Sequence, residues 1–194
     1  MQKKRYTGYI VGAVLILLGI YIIVTYNSLV KKEEKVKQQW SEVQSTYQRR
    51  LDLVPNLVNV VKGVSDFEQS TLEKIAAARS NALAGRTDVI SAENYDKQRV
   101  LQDSLAAATN RLIILIEKYP VLKGTTAYSG LQTQLEGTER RIKVARNDFN
   151  ESVAEYNTTV RGGSSLLVAK LFGFKPREGF QAVAGSDKVV EIKF

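Results

Sequence analysis

No cysteine and no histidine occurs in the 194 residues. Without cysteine there is no disulfide and no thiolate nucleophile, so the sequence is silent about redox compartment. Without histidine the usual general base and the commonest transition-metal ligand are also missing. Carboxylate-only calcium or magnesium sites remain open, but no EF-hand spacing is present. No glycine-rich phosphate loop follows a strand pattern, and no strand–helix alternation marks a nucleotide-binding sheet. Neither cofactor nor metal is therefore expected, and composition leaves serine–lysine or carboxylate chemistry open. Proline is scarce too, with three in the chain, which leaves long uninterrupted stretches for helices.

Charge is absent from residues 6–30, and the cluster Lys3, Lys4 and Arg5 stands just before them. About 20 helical residues cross a hydrocarbon core of about 30 Å, so this run predicts a transmembrane helix. A secretory signal has the same basic start but a shorter apolar stretch and a small-x-small cleavage site. Here the run ends in Tyr26, Asn27 and Ser28, and polar periodic sequence begins at Lys31, so a retained anchor is expected. Tyr6, Tyr9, Tyr21 and Tyr26 fall where an interfacial aromatic belt would lie. Lys31, Lys32, Lys35 and Lys37 after the run balance the cations before it, so the positive-inside rule barely chooses a side. Gly8, Gly12 and Gly19 lie on roughly one face, and Gly8-x-x-x-Gly12 is a candidate helix-contact motif.

The formal net charge of +8 includes those first three cations, and the remaining excess is mild and interspersed with acids. No basic stripe with interleaved aromatics is present, so nucleic-acid binding is not expected. Anionic lipid headgroups suit the juxtamembrane lysines better.

Beyond the anchor, apolar residues keep a spacing of three or four. Val36, Trp40, Val43, Tyr47, Leu51, Val54, Val58 and Val61 make one stripe, which assigns Trp40 and Tyr47 to a core. Pro55 interrupts it, and because the rhythm continues on both sides a kink near 53–56 is favoured over a restart. Gly63 is a softer spot, and a turn is expected through 85–91. Ser91 reads as an N-cap, followed by the stripe Leu101, Leu105, Ala108, Leu112, Leu115 and Tyr119 up to Pro120. The last long helix carries Leu131, Leu135, Thr138, Ile142, Ala145, Phe149, Val153, Tyr156 and Val160, and stops at Gly162-Gly163. Short connections favour antiparallel neighbours.

The expected fold is all-α: an N-terminal transmembrane helix continuing into an antiparallel three- or four-helix bundle. A short C-terminal helix and a strand-like tail follow. The expected divisions are a membrane anchor at 1–30, the bundle at 31–162, and the short helix with a flexible or partner-binding tail at 163–194. Val190, Ile192 and Phe194 alternate as on one side of a strand and are candidates for docking on a partner or a second copy.

Several blocks together resemble the LemA family of membrane-anchored helical bundles. They are Tyr26-Asn27-Ser28-Leu29-Val30, Trp40-x-x-Val43, the run from Gln48 through Arg49, Arg50, Leu51, Asp52, Leu53, Val54, Pro55, Asn56 and Leu57 to Val58, and Val61-Lys62-Gly63. Glu117-Lys118-Tyr119-Pro120, Leu131-Gln132-x-x-Leu135-Glu136, Ala145-Arg146, Tyr156-Asn157 and Phe172-Gly173-Phe174 complete the set in order. The chain departs from the family's pattern at Tyr47, at Phe67-Glu68, and at Arg161-Gly162-Gly163, where the family commonly has Phe-Pro. The resemblance implies membrane association and a periplasmic or otherwise exported domain. It also implies partners such as a membrane protease or another envelope protein, and supplies no settled catalytic activity.

Two polar clusters stand out. Arg49, Arg50, Asp52, Pro55 and Asn56 form a candidate structural or partner surface, with Arg49 meeting Asp52 and Asn56 donating to the carbonyl of residue 52. Glu136, Glu139, Arg140, Arg141, Lys143 and Arg146 read as a self-compensated helix face with Glu136–Arg140 and Glu139–Lys143 pairs. The functional expectation is a non-enzymatic membrane-anchored scaffold or adaptor that forms homo-oligomers and contacts an envelope protein. The alternative is a membrane-shaping or lipid-surface-binding protein, with membrane lipids as its partners.

Overall fold

A computed structural model describes residues 2–63, 68–87 and 91–180, with the backbone alone at 2–7. Its elements are helices: α1 (Gln2–Lys62), α2 (Gln69–Ala84), α3 (Ala92–Ile116), α4 (Pro120–Lys123), α5 (Thr126–Arg161) and α6 (Ser165–Leu171). The strand-like tail expected at Val190, Ile192 and Phe194 lies outside the described residues.

α1 is one helix of 61 residues, about 90 Å long. Its two ends live in different surroundings. Ile16 and Leu17 are 65% and 67% exposed, whereas Leu29 and Val36 are fully buried. From Val36 outward, the stripe Val36, Trp40, Val43, Tyr47, Leu51, Val54, Leu57 and Val61 faces the core, none of it more than 3% exposed. Leu57 takes the buried place expected of Val58, which is only half-buried.

α1 passes through Pro55 without ending. Proline has no N–H, so the carbonyl four residues earlier, at Leu51, loses its helical donor. Arg79 of α2 supplies the replacement, its Nε donating to the Leu51 oxygen at 2.9 Å. This contact, rather than the expected bond from Asn56 to residue 52, answers the carbonyl that the proline leaves free.

Charge and hydroxyl contacts set the helix directions. Lys35 meets Glu155, Arg146 meets Tyr47, and Arg50 meets Glu139, so α5 runs antiparallel to α1. Tyr95 packs on Trp40 while Gln102 meets Arg50, so α3 runs outward with α1. α2 is the shorter return between them. The outer half thus holds α1, α2, α3 and α5, and the inner half holds α1, α5, the start of α3, and α6.

Ser91 caps α3 as expected, its Oγ accepting from the Asn94 N–H at 3.3 Å. Thr125 does the same for α5 through Tyr128. α3 stops at Ile116, three residues before the expected end at Tyr119, because Pro120 opens the separate turn α4 with Tyr119 as its N-cap. The buried face of α3 is also rotated from expectation. Gln98, Gln102, Leu105, Thr109, Leu112 and Ile116 point inward, while Leu101, Ala108 and Leu115 are only half-buried. Leu101 and Ala108 pack on the outer cluster from the side.

If Arg79 repairs the break at Pro55, Arg79→Met should cost about 1–2 kcal/mol by leaving a buried carbonyl unpaired. In a Pro55→Ala background, where position 55 regains its N–H, most of that cost should disappear. Thermal unfolding of the full chain in mild detergent, followed by far-UV circular dichroism, checks this cycle.

Candidate partner-binding face

Two apolar clusters share the bundle. The inner one includes Val36, Trp40, Tyr47, Tyr95, Ile142, Phe149 and Val160, and the outer one Leu51, Leu57, Ile75, Leu105, Leu112 and Leu135. Between them lies a polar layer centred on Arg50, which is 2% exposed. Its Nη1 donates to the Gln102 backbone oxygen at 2.9 Å and to Gln102 Oε1 at 3.1 Å. Its Nη2 donates to Glu139 Oε2 at 2.5 Å. Beside it Arg146 donates to the Tyr47 hydroxyl at 2.8 Å and to Asp103 at 2.9 Å. Three helices are joined at one level. A buried guanidinium left unpaired is strongly unfavourable, so this layer penalises any slip of α3 or α5 along α1.

Arg49 and Arg50 are therefore neighbours in sequence with opposite settings. Arg49, Asp52 and Asn56 are exposed, Pro55 is half-buried, and Arg50 faces the interior. Arg49, Asp52 and Asn56 line an open groove of about 700 Å³, together with Gln48, Arg86 and Arg141. Asp52 accepts from Gln48 Nε2 at 2.6 Å, and Gln48 Oε1 accepts from Arg86 at 2.5 Å. Among the described residues no ion pair joins Arg49 to Asp52. The expected pairs on α5 are rearranged as well: Glu139 serves Arg50, and Glu136 accepts from Gln132. The buried cation has no solvent to fall back on, so it takes the nearby carboxylate. Thr138 donates to the carbonyl of Gln134, one turn back.

The groove offers charge and hydrogen bonds on an open surface, which suits recognition of another surface. Among the described residues no group of three or more His, Cys, Asp or Glu side chains gathers as a metal site. At Gly8, Gly12 and Gly19 an added Cβ would meet nothing within 4 Å, so their face of α1 is open. Val190, Ile192 and Phe194 lie outside the described residues.

One feature of the inner half escaped the sequence. After α6 the chain turns at Gly173 (φ +78°) and runs back along α5 as an extended strap to Phe180. Asn157 holds it with two bonds, Nδ2 to the Arg177 oxygen at 2.7 Å and Oδ1 from the Arg177 N–H at 2.8 Å. Asn150 grips Phe180 in the same reciprocal way, at 3.3 and 2.8 Å. Seven helical residues rise about 10.5 Å, close to the reach of three extended residues, so the two asparagines match the strap's length. Arg177 pairs with Glu33 at 2.6 Å, and the Phe180 ring sits 5.5 to 5.9 Å from those of Phe149, Tyr95 and Trp40. The Asn150–Asn157 heptad was the available signal, but nothing in it names its partner.

The LemA family's sequence model matches residues 39–194. The chain belongs to the LemA family. Magnetosome protein MamQ of Magnetospirillum gryphiswaldense is 27% identical over 185 residues, covering 86% of this chain and 68% of that protein. Magnetosome protein MamQ 1 of Paramagnetospirillum magneticum is 26% identical over the same shares. Protein LemA of Metamycoplasma hominis is 24% identical over 149 residues, covering 75% of this chain and 65% of that protein. The matched family region takes in the polar layer, the groove and the strap, and among the described residues one helix, at the N-terminus, is long and apolar enough to cross a membrane, which fits membrane anchoring.

Removing the layer's carboxylate with Glu139→Ala should destabilise the chain by about 1–3 kcal/mol, less than for a fully buried pair because Glu139 is 45% exposed. Chemical denaturation in detergent measures it, and Arg49→Ala, on the open side, should change stability by less than about 0.5 kcal/mol.

Burial also sets a pH dependence. It pushes the Tyr95 hydroxyl up to about 12, against the opposing pull of the Arg177 charge. An unfolded tyrosine ionises near 10. Between about pH 10 and 12 the unfolded chain therefore releases a proton that the folded one retains, and stability falls across that window. Tyr95→Phe should flatten the fall in a series of unfolding midpoints measured against pH.

Proposed function

We propose that this chain is a membrane-anchored, non-enzymatic scaffold or adaptor that self-associates and contacts another envelope or membrane protein. The observation carrying this reading is α1 itself. One helix leads from an exposed apolar segment into a buried bundle stripe, so the bundle stands on its anchor without a flexible linker. In this reading residues 1–30 anchor the chain in the bacterial cell membrane as a single pass, and residues 31–162 form the bundle on the periplasmic or extracytoplasmic side. Residues 163–194 supply the short helix, the strap and a docking tail at Val190, Ile192 and Phe194. The groove at Arg49, Asp52 and Asn56 is the contact face for a membrane protease or similar partner. Self-association runs through the open Gly8, Gly12 and Gly19 face, with the bundle contributing.

Membrane shaping is the second reading, favoured by the lysines beyond the apolar run. Two of these four are internally engaged: Lys35 pairs with Glu155 at 2.9 Å and Lys37 with Glu34 at 2.6 Å. Among the described residues, Lys31 and Lys32 have no ion pair and would face headgroups. Half the cationic cluster is thus neutralised within the chain, which weakens this reading relative to the first.

Crosslinking in native membranes followed by mass spectrometry should return the same protein neighbours reproducibly, and Arg49→Glu should deplete them without unfolding the bundle. Recovery of monomer and lipid alone would reject the scaffold. Mass measurement in mild detergent should show a smaller assembly for the Gly8→Leu/Gly12→Leu variant than for the parent chain. Equal masses would remove the glycine face from the interface.

A further inference from the structure

α6 has two faces. Val168 and Ala169 are 4% and 0% exposed against the inner cluster, while Leu167 and Leu171 are 75% and 71% exposed. Phe172, next in the chain, is 49% exposed on one side and packs on Tyr26 with the other, ring centroids 4.8 Å apart. The remaining exposed large apolar residues beyond the anchor, such as Val100, Ile114, Val121 and Val144, are scattered singly over three helices, which is ordinary for a protein surface. Leu167, Leu171 and Phe172 instead form a patch at one place.

That place is at the edge of the apolar run. Phe172 and Phe174 both touch Tyr26, and Ile22 packs on the same inner cluster as Val168 and Ala169. About 20 residues fill the hydrocarbon core, and the uncharged run is 25 residues long. Wherever the bilayer is centred on that run, Ile22 falls within the core and Tyr26 at or inside its boundary. α6 is carried to that depth by its contacts with α1. Exposed Lys170 and Lys175 border the patch, suitably placed for their ammonium groups to reach the headgroups.

We propose that α6 and Phe172 are a second membrane contact, with Leu167, Leu171 and Phe172 set into the headgroup–acyl boundary of the bilayer that α1 crosses. The occupant of the patch is lipid. This contact rests on the reading of α1 as a membrane span. It would give the bundle two points of attachment, so the rod could neither swivel about α1 nor tilt toward its unsupported side. The extended strap, which follows the turn at Gly173, would then connect the membrane surface directly to the Asn157 and Asn150 grips.

The absence of cysteine makes the test simple. Full-length Leu171→Cys, Leu167→Cys, Val121→Cys and Leu17→Cys variants are each labelled with an environment-sensitive nitrobenzoxadiazole dye. They are then reconstituted into phosphatidylethanolamine–phosphatidylglycerol vesicles containing shallow or deep spin-labelled lipids. Labels at 167 and 171 should be blue-shifted and quenched several-fold more by shallow spin labels than the label at 121, which lies on the outer turn α4. The label at 17 should respond to the deep ones. If 17 is quenched while 167 and 171 are as water-exposed as 121, the α6 contact is overturned and the span stands. If 167 and 171 are shielded from water yet unquenched by lipid, a protein surface covers the patch and the proposal again fails. An unquenched label at 17 would overturn the span reading and the contact that rests on it.

Discussion

The hydrogen-bond ladder of α1 is the constraint on which the rest of the molecule depends. Each of its turns fixes the next, so the orientation of the apolar end is transmitted to the bundle stripe within one helix about 90 Å long. Most of the stability of a helix in a protein comes from packing its apolar face, and the outer part of α1 is stabilised by burying Val36 to Val61 against α5 and its neighbours. The ladder's one chemical interruption, Pro55, is met by Arg79 from another helix. Continuity is therefore a property of the assembled bundle as well as of α1.

Apolar burial drives this assembly but does not by itself choose a register, because hydrophobic contact is non-directional. A heptad slip between α1 and α5 would still place aliphatic side chains together. The Arg50 layer removes that freedom. A slip of α5 would take Glu139 from the buried guanidinium, a loss of about 1–3 kcal/mol, and a slip of α3 would take Gln102 from it. Its position between the inner and outer clusters lets one polar level index both. The strap adds a second index in the inner half, where the extended chain and Phe180 close the side that α2 does not reach.

Periodicity made much of this architecture legible. The uncharged run, the inward stripe with Trp40 and Tyr47, the α5 stripe ending at Gly162, the Ser91 cap and the passage of the pattern across Pro55 all follow from local chemistry. What escaped depends on partners distant in sequence. Arg50 lies three residues after Tyr47 and four before Val54, so helical geometry alone puts it on the buried side. Its charge argues for the surface, and only Gln102 and Glu139, both distant in sequence, make the buried position tenable. The α3 face differs from its aliphatic pattern for the same reason, since Gln98, Gln102 and Thr109 occupy inward positions. Pro120 marks the end of α3 in the sequence pattern, but in the fold it begins the next turn. The strap lacks periodicity, and only the spacing of Asn150 and Asn157 hinted at its track.

A LemA-family chain of this construction presents an open groove, an exposed small-residue face and an apolar foot on one stiff body. Their mutual distances are fixed by α1, which is what the proposed scaffold role requires. The claim that this body is a single rod is tested most directly by electron–electron dipolar spectroscopy on the full chain in bilayers. Spin labels would be placed at exposed positions through Leu17→Cys and Arg49→Cys. Thirty-two residues of unbroken helix separate the labels by about 48 Å, and a narrow distribution near that value is expected. A broad distribution, or one centred well below it, would mean that anchor and bundle move independently and would contradict the account.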